Sequence, residues 1–123
     1  MHRIMVTREW LDAGIHTTIG SDAPTTPFYT PQVTMAGAVG RFTFSKKVVG
    51  PDQALTNQEA LRAHTIEAAY AGHAEKIKGS LEPGKLADIA VWDQDPLTAT
   101  FEQLAKMKTV YMTLVGGKIV HQL

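Results

Sequence analysis

The sequence contains no cysteine among its 123 residues. A disulfide framework, a thiolate metal site and a cysteine nucleophile are therefore all excluded. It also lacks a charge excess: 12 Lys and Arg balance 12 Asp and Glu. A general nucleic-acid binder needs clustered Lys and Arg to neutralise phosphates, so no nucleic-acid partner is expected. No apolar run approaches the roughly 20 residues that span a bilayer, so no membrane partner is expected either. Met1 to Arg8 turns charged before any signal-peptide core develops. A cytoplasmic globular chain is the resulting expectation. Low-complexity tracts and repeats are missing too. The length fits one ordinary domain with a real core but leaves no room for a complete large enzyme barrel.

What is present has a readable order. Arg8 to Ala13 reads as the end of a short helix, with Gly14 placed as its C′ residue, where positive φ is cheap for glycine. Ile15 to Ile19 is β-branched and bounded by Gly14 and Gly20, which predicts a short buried strand. Ser21-Asp22-Ala23-Pro24 breaks it and opens a long loop containing Pro27 and Pro31, of the kind that more often carries function than not. A helix is predicted from Pro31 to about Val39, and an irregular stretch from Phe42 to Asp52. Thr56-Asn57-Gln58-Glu59 is a capping box ahead of an Ala-rich helix over Ala60 to Ala71, divided near His64-Thr65 and stopped by Gly72.

The remainder is β in character. Gly79 to Lys85 is turn chemistry, and Ala87 to Asp93 predicts a strand. Thr100 to Met107 reads as a capped helix. Thr109 to Val115 and Lys118 to His121 flank Gly116-Gly117, a two-residue loop suited to a type I′ hairpin. Trp92, Phe101, Tyr111 and Met112 are expected to pack a core. Lys85 and Asp88 are expected to cap and fix the β tail. The whole is better described as a piece of α/β followed by strands than as a self-contained fold.

Four of these segments, in this order, resemble the metal-dependent amidohydrolase superfamily. Gly14 to Ile19 with Gly20-Ser21-Asp22-Ala23-Pro24 is similar to its last barrel strand and following loop. Ala60-Leu61-Arg62-Ala63-His64-Thr65 with Ala68-Ala69-Tyr70-Ala71 resembles its helix after the barrel. Gly79-Ser80-Leu81-Glu82-Pro83-Gly84-Lys85-Leu86-Ala87-Asp88-Ile89 is similar to its G-x-(I/L)-x-x-G-K-x-A-D-(I/L) segment, and Val110 to Val120 resembles its closing hairpin. Ser-Asp-Ala-Pro and Asp95-Pro96-Leu97 look most like the N-substituted formamide deformylase-like branch. The resemblance runs from about Trp10 to the end. It implies an α/β fold class: a C-terminal fragment of a TIM-barrel amidohydrolase plus part of the small β-sandwich domain. Residues 1–78 would be the last strand and C-terminal helices of the barrel, and residues 79–123 the strands of the sandwich.

The family's H-x-H pair, its mid-barrel lysine or acid and its later histidines have no counterpart here. The histidines are His2, His16, His64, His73 and His121, and no two have H-x-H or H-x-x-x-H spacing. By resemblance, Asp22 is the catalytic residue: it would bind the more buried metal and handle the proton of metal-bound water. Spacing alone favours a simpler role for it, a turn aspartate accepting a neighbouring backbone N–H. Phe28 and Tyr29 border the substrate pocket in the enzymes resembled, and are the substrate-binding candidates. His16 shares its parity with Thr18 and would point inward, as a packed histidine in preference to a ligand. His64 and His73 are expected at the surface or an interface, His121 in solvent, and His2 ahead of any ordered element. Ser21 has no partners for a triad, and the glycines lack the context of a phosphate cradle.

The resemblance thus implies a hydrolase of carbon–nitrogen bonds other than peptide bonds. It would act on a small-molecule amide-type substrate and use a divalent metal, most simply zinc. The isolated chain is expected to be inactive and to bind no metal tightly, because one carboxylate does not furnish a catalytic zinc site. The alternative is a non-catalytic remnant with a structural role. Strand edges exposed around Val91, Val110 and Val120 would then make it a homo-oligomer.

Overall fold

The computed structural model describes residues 4–43, 45–107 and 110–123. His2 and Thr109 lie outside them. The elements run α1 (Thr7–Asp12), α2 (Pro31–Gly40), a 3-10 turn at Pro51–Gln53, α3 (Asn57–His64), α4 (Ile66–Ala71), β1 (Ile89–Trp92), α5 (Phe101–Lys106), β2 (Val110–Val115) and β3 (Lys118–Gln122).

Local chemistry sets most of these boundaries. Gly14, at φ 74, closes α1 in a Schellman turn: Ile15 N–H donates to Trp10 O at 2.9 Å and Gly14 N–H to Leu11 O at 2.9 Å. Pro31 opens α2 after extended Thr30, and Arg41 ends it in the left-handed region at φ 52. The capping box of α3 is formed. Glu59 N–H donates to Thr56 Oγ1 at 3.2 Å, and Thr56 N–H to Glu59 Oε2 at 2.8 Å. Thr100 and Gln103 repeat the device at α5. Thr65, with φ −120 and ψ −92, splits α3 from α4 where the sequence predicts the break.

The core collects Met35 and Ala36 of α2, Leu55, Ala60 of α3, Leu104 of α5 and Met107. Met35 and Leu104 are fully buried, worth about 1.5–3 kcal/mol each over exposure. Trp92 and Phe42 pack against this cluster, and Phe101 lies 5.4 Å from Phe42 between ring centres. Gly40 lets α2 come this close: a Cβ there would sit 2.6 Å from the Phe101 ring.

The strands form an antiparallel three-stranded sheet in the order β1-β2-β3. Ile89 faces Leu114 and Val91 faces Met112, while Leu114 faces Ile119 across the hairpin. Gly116 and Gly117, at φ 56 and 79, supply the two positive values that a type I′ turn demands. Asp88 Oδ1 accepts Gly116 N–H at 2.8 Å, and Ala87 O accepts Gly117 N–H at 3.0 Å. Lys85 Nζ reaches Ser80 Oγ at 2.6 Å and Glu82 at 3.0 Å, so Lys85 and Asp88 both fix the tail as expected.

Two expectations are corrected. Ile15 to Ile19 is not a strand, because no second strand lies beside it among the described residues to share a ladder. Among the described residues, its backbone bonds to other elements join Ile15 N–H to Trp10 O at 2.9 Å and Ile19 N–H to Ala63 O at 3.5 Å, and neither is a strand ladder. Nor is it fully buried: Thr17 is inside, but Ile15 is 52% exposed. Tyr111 is not a core residue either: it is half exposed. No described helix is long and apolar enough to cross a membrane.

Candidate active-site loop and its surroundings

Asp22 sits in the left-handed region at φ 55, where Asp is among the few side chains tolerated. Hydroxyl groups on the same loop hold it there. Thr25 N–H donates to Asp22 O at 3.0 Å, and the Thr25 hydroxyl bonds the same oxygen. Ala23 N–H donates to Ser21 Oγ at 3.3 Å. The Thr26 hydroxyl faces Ser21 O at 2.6 Å and Phe28 O at 2.9 Å, drawing the two ends of the loop together. The backbone at Asp22 is thereby bound while the residue itself stays exposed. The simpler turn role expected of its side chain is not what holds this loop; Ser21 accepts that N–H instead.

Phe28 and Tyr29 lie at the far end of the same loop, 40% and 74% exposed. Asp22 and the two aromatic residues are thus brought onto one surface loop. Among the described residues no three His, Asp or Glu gather where a metal ion would be held. A catalytic zinc takes about three protein ligands, and Asp22 supplies one carboxylate. The residues here do not fit the metal by themselves.

The histidines take other roles. His16 points outward, against the inward parity expected. Its ring stacks on Tyr70 at 3.8 Å, and its Nδ1 lies 2.6 Å from Glu67 Oε2. Arg62 donates to the other oxygen of Glu67 at 2.8 Å. Together His16 and Arg62 hold the Glu67 carboxyl below its ordinary range, against the opposing effect of burial. His64 takes the second of its two expected placings, an interface. It is largely buried between helices, with Nδ1 2.8 Å from Ala60 O and Nε2 2.7 Å from Thr34 Oγ1. Burial pushes its pKa down. The Ala60 carbonyl can only accept, so Nδ1 carries a proton and donates it there. Helical i to i+4 spacing points to the Ala60 bond; nothing local points to Thr34. His73 is exposed, and exposed His121 has its Nε2 3.1 Å from Val110 O.

A groove of about 1150 Å³ lies elsewhere, between α3–α4 and β1, and Asp22 does not line it. A smaller hollow of about 330 Å³ is bounded by Trp10, Ile15 and His16.

Residues 2–121 match the model of the Amidohydrolase family. The chain belongs to the amidohydrolase family. Over 120 residues it is 35% identical to an N-substituted formamide deformylase of Arthrobacter pascens, covering 98% of this chain and 22% of that protein. Over 69 residues it is 42% identical to an imidazolonepropionase of Geobacillus thermodenitrificans, covering 54% of this chain and 15% of that one. The chain therefore spans about a fifth of the length of the curated relatives it matches. In fold it resembles an amidohydrolase from Thermotoga maritima, with a TM-score of 0.65 at 23% identity, over 95% of this chain and 26% of the other. It also resembles E. coli guanine deaminase, with a TM-score of 0.69 at 20% identity, over 94% and 29%. Amidohydrolases generally use divalent metals. The family assignment thus stands, and with it an α/β fold ending in a small antiparallel sheet.

Proposed function

We propose that this chain is the Asp22-bearing, C-terminal portion of a cytoplasmic hydrolase that cleaves carbon–nitrogen bonds other than peptide bonds in a small amide-type substrate. In this reading residues 1–78 correspond to the last strand and helices of a TIM barrel, and residues 79–123 to strands of a small β-sandwich domain. The observation that carries it is Asp22: an exposed carboxylate, on a backbone pinned by Ser21, Thr25 and Thr26, within a chain of amidohydrolase ancestry. Barrel enzymes place catalytic groups just past the C-terminal ends of strands, and in a complete barrel Asp22 would follow Ile15–Ile19 in that position, once a neighbouring strand supplies the ladder that the described residues lack.

The chemistry asked of Asp22 is proton transfer. Water adds to the substrate carbon and gives up a proton; the carboxylate takes it and passes it to the departing nitrogen as the C–N bond breaks. A C–OH bond replaces a C–N bond, and the nitrogen leaves as an amine. Phe28 and Tyr29, on the same loop, present aromatic surface to an apolar substituent of the substrate. The metal that the family generally uses, zinc in the simplest case, would need ligands beyond those of this chain.

The test is a graft. Residues 2–121 replace the matching segment of the Arthrobacter deformylase, and the chimera is assayed on an N-substituted formamide. Hydrolysis is expected, with Asp22→Asn lowering kcat roughly 10²- to 10⁴-fold. A chimera that keeps its full activity under Asp22→Asn would overturn the reading. The 123-residue chain alone should neither turn over the formamide nor retain stoichiometric zinc.

A further inference from the structure

The loop that carries Asp22, Phe28 and Tyr29 stands on two stems, and both meet α3 at neighbouring residues. Ahead of the loop, Ile19 N–H donates to Ala63 O at 3.5 Å. Behind it, in the first turn of α2, Thr34 Oγ1 lies 2.7 Å from Nε2 of His64. The C-terminal end of α3 is thus one footing for the whole span from Ile19 to Thr34. That footing is firmly seated: Ala63 is buried, and Ala60 joins Met35 and Ala36 of α2 in the core.

The His64 ring is aimed. Its Nδ1–H donates to Ala60 O at 2.8 Å, one helical turn back, and this holds the ring with Nε2 against α2. A threonine hydroxyl suits that position because it both donates and accepts. It can give its proton to a bare Nε2, or accept one from Nε2–H and donate its own to Pro31 O at 3.0 Å. The tie therefore holds with or without a proton on Nε2. The same hydroxyl lies 3.5 Å from Thr30 O, on the residue that directly follows Tyr29. Asp22 has its own fastenings at the other end of the loop, in Thr25 and Ser21.

We propose that His64, acting through Thr34, is a positioning residue for substrate: it fixes the end of the loop from which Phe28 and Tyr29 present their rings. It thereby sets how tightly a large apolar substituent on the departing nitrogen is gripped. Neither His64 nor Thr34 touches the reacting atoms, so the tie acts on binding and leaves proton transfer at Asp22 unaltered. What the loop binds is taken from the hydrolase reading. The tie itself stands on the distances around His64 and lies inside the chain, between α2 and α3.

The experiment uses the chimera that carries residues 2–121, with Thr34→Val, which removes the hydroxyl at nearly constant shape, and Thr34→Ser, which keeps it. Kinetics are measured on formamides with a large apolar or a methyl substituent on nitrogen, and hydrogen exchange is followed in the peptide over residues 20–30. Thr34→Val should raise KM about fivefold for the large substituent and less than about twofold for methyl, with kcat within about twofold. Exchange over residues 20–30 should quicken about fivefold. Thr34→Ser should stay close to the parent in both readouts. His64→Ala should reproduce the rise in KM, and the double variant with Thr34→Val should add little to it. Unchanged KM for the large substituent, unchanged exchange, or equal effects of valine and serine would each overturn the proposal. Failures of the two readings separate. Full activity under Asp22→Asn sinks the hydrolase reading while exchange still reports the tie; a silent Thr34→Val beside a damaging Asp22→Asn sinks the tie alone. A folded chimera inert towards both formamides would overturn the substrate role together with the hydrolase reading.

Discussion

Arg8 and Glu59, 51 positions apart, form a two-pronged ion pair that fastens α1 to the first turn of α3. Arg8 Nη1 donates to Glu59 Oε1 at 2.8 Å, and Nη2 donates to Oε2. Oε2 also accepts the Thr56 N–H at 2.8 Å and the Thr56 hydroxyl at 2.9 Å, so helix cap and ion pair share one oxygen. Planar fork-to-fork pairing is the stronger form of such contacts. Arg8→Ala should lower stability by about 1–2 kcal/mol, and Arg8→Lys should recover less than half of that, since an ammonium cannot fork. In urea titrations the double variant Arg8→Ala/Glu59→Gln should lose less than the sum of the single losses. Strict additivity would mean that the two side chains do not act as a pair.

Acid should weaken the fold in two stages, for two different reasons. Arg8, and after it the bonds from Thr56, holds the Glu59 carboxyl at about 2 against an ordinary 4.5. A folded-state pKa below the unfolded one gives stability that is fully present above about pH 5 and drains away as pH falls toward 2. Both side chains are partly open to solvent, so the effect should total about 1–2 kcal/mol. His64 acts higher. Burial depresses its pKa below 6.5, so the unfolded chain takes up that proton first and stability starts to fall as pH drops through 6.5. Urea midpoints measured from about pH 8 to pH 2.5 should show both stages. Glu59→Gln should shrink the lower, leaving the share of Glu67, and His64→Gln should flatten the upper; a profile unchanged by either substitution would refute the assignment.

The contrast between Glu59 and His64 shows where sequence reading reaches its limit. The cap that Glu59 makes with Thr56 spans three residues, so the letters alone locate it. The same holds for Gly14 closing α1, Pro31 opening α2 and the glycine pair in the hairpin, all decided by neighbours in the chain. Arg8 and Thr34 find their partners across 51 and 30 positions, and no periodicity reports such distances. Ile15 to Ile19 has strand composition, yet composition cannot supply a lateral partner, and without one there is no ladder. His16 meets a related limit: parity identifies a shared face but not which face is covered. Asp22 is legible through the motif around it. Its left-handed backbone and the Thr25 and Thr26 hydroxyls that pin it emerge only in three dimensions.

Gly79 and Gly84 make a matched pair for testing how α4 seats the β tail. Both hold positive φ, at 94 and 90, so alanine at either is strained by about 1–2 kcal/mol. Only Gly79 is also crowded: a Cβ there would lie 2.6 Å from the Ala69 Cβ and 3.0 Å from the Ile66 Cα, inside α4. Nothing lies within 4 Å of the equivalent atom at Gly84. Gly84→Ala should therefore cost only the backbone strain, and Gly79→Ala about 1–3 kcal/mol more through overpacking. Equal melting temperatures for the two variants would contradict the close seating of Gly79 on α4.

Asp88 ties the start of β1 to the β2–β3 turn, reaching 28 positions along the chain to accept the Gly116 N–H at 2.8 Å. Both glycines of that turn have positive φ, so their amide hydrogens point where ordinary turn residues would not send them. Asp88 and Ala87 O meet those hydrogens from the neighbouring strand side. Asp88→Ala removes one anchor and should cost about 1 kcal/mol locally, since the Gly116 amide is exposed and water can replace the lost acceptor. Amide exchange at Gly116 should then quicken about fivefold while exchange at Leu104, in the buried core, stays unchanged. Asp88→Asn keeps a carbonyl oxygen in the same place and should retain most of the protection. Equal exchange at Gly116 in the Asp88→Ala and Asp88→Asn variants would show that the turn holds its shape through its own backbone and owes nothing to Asp88.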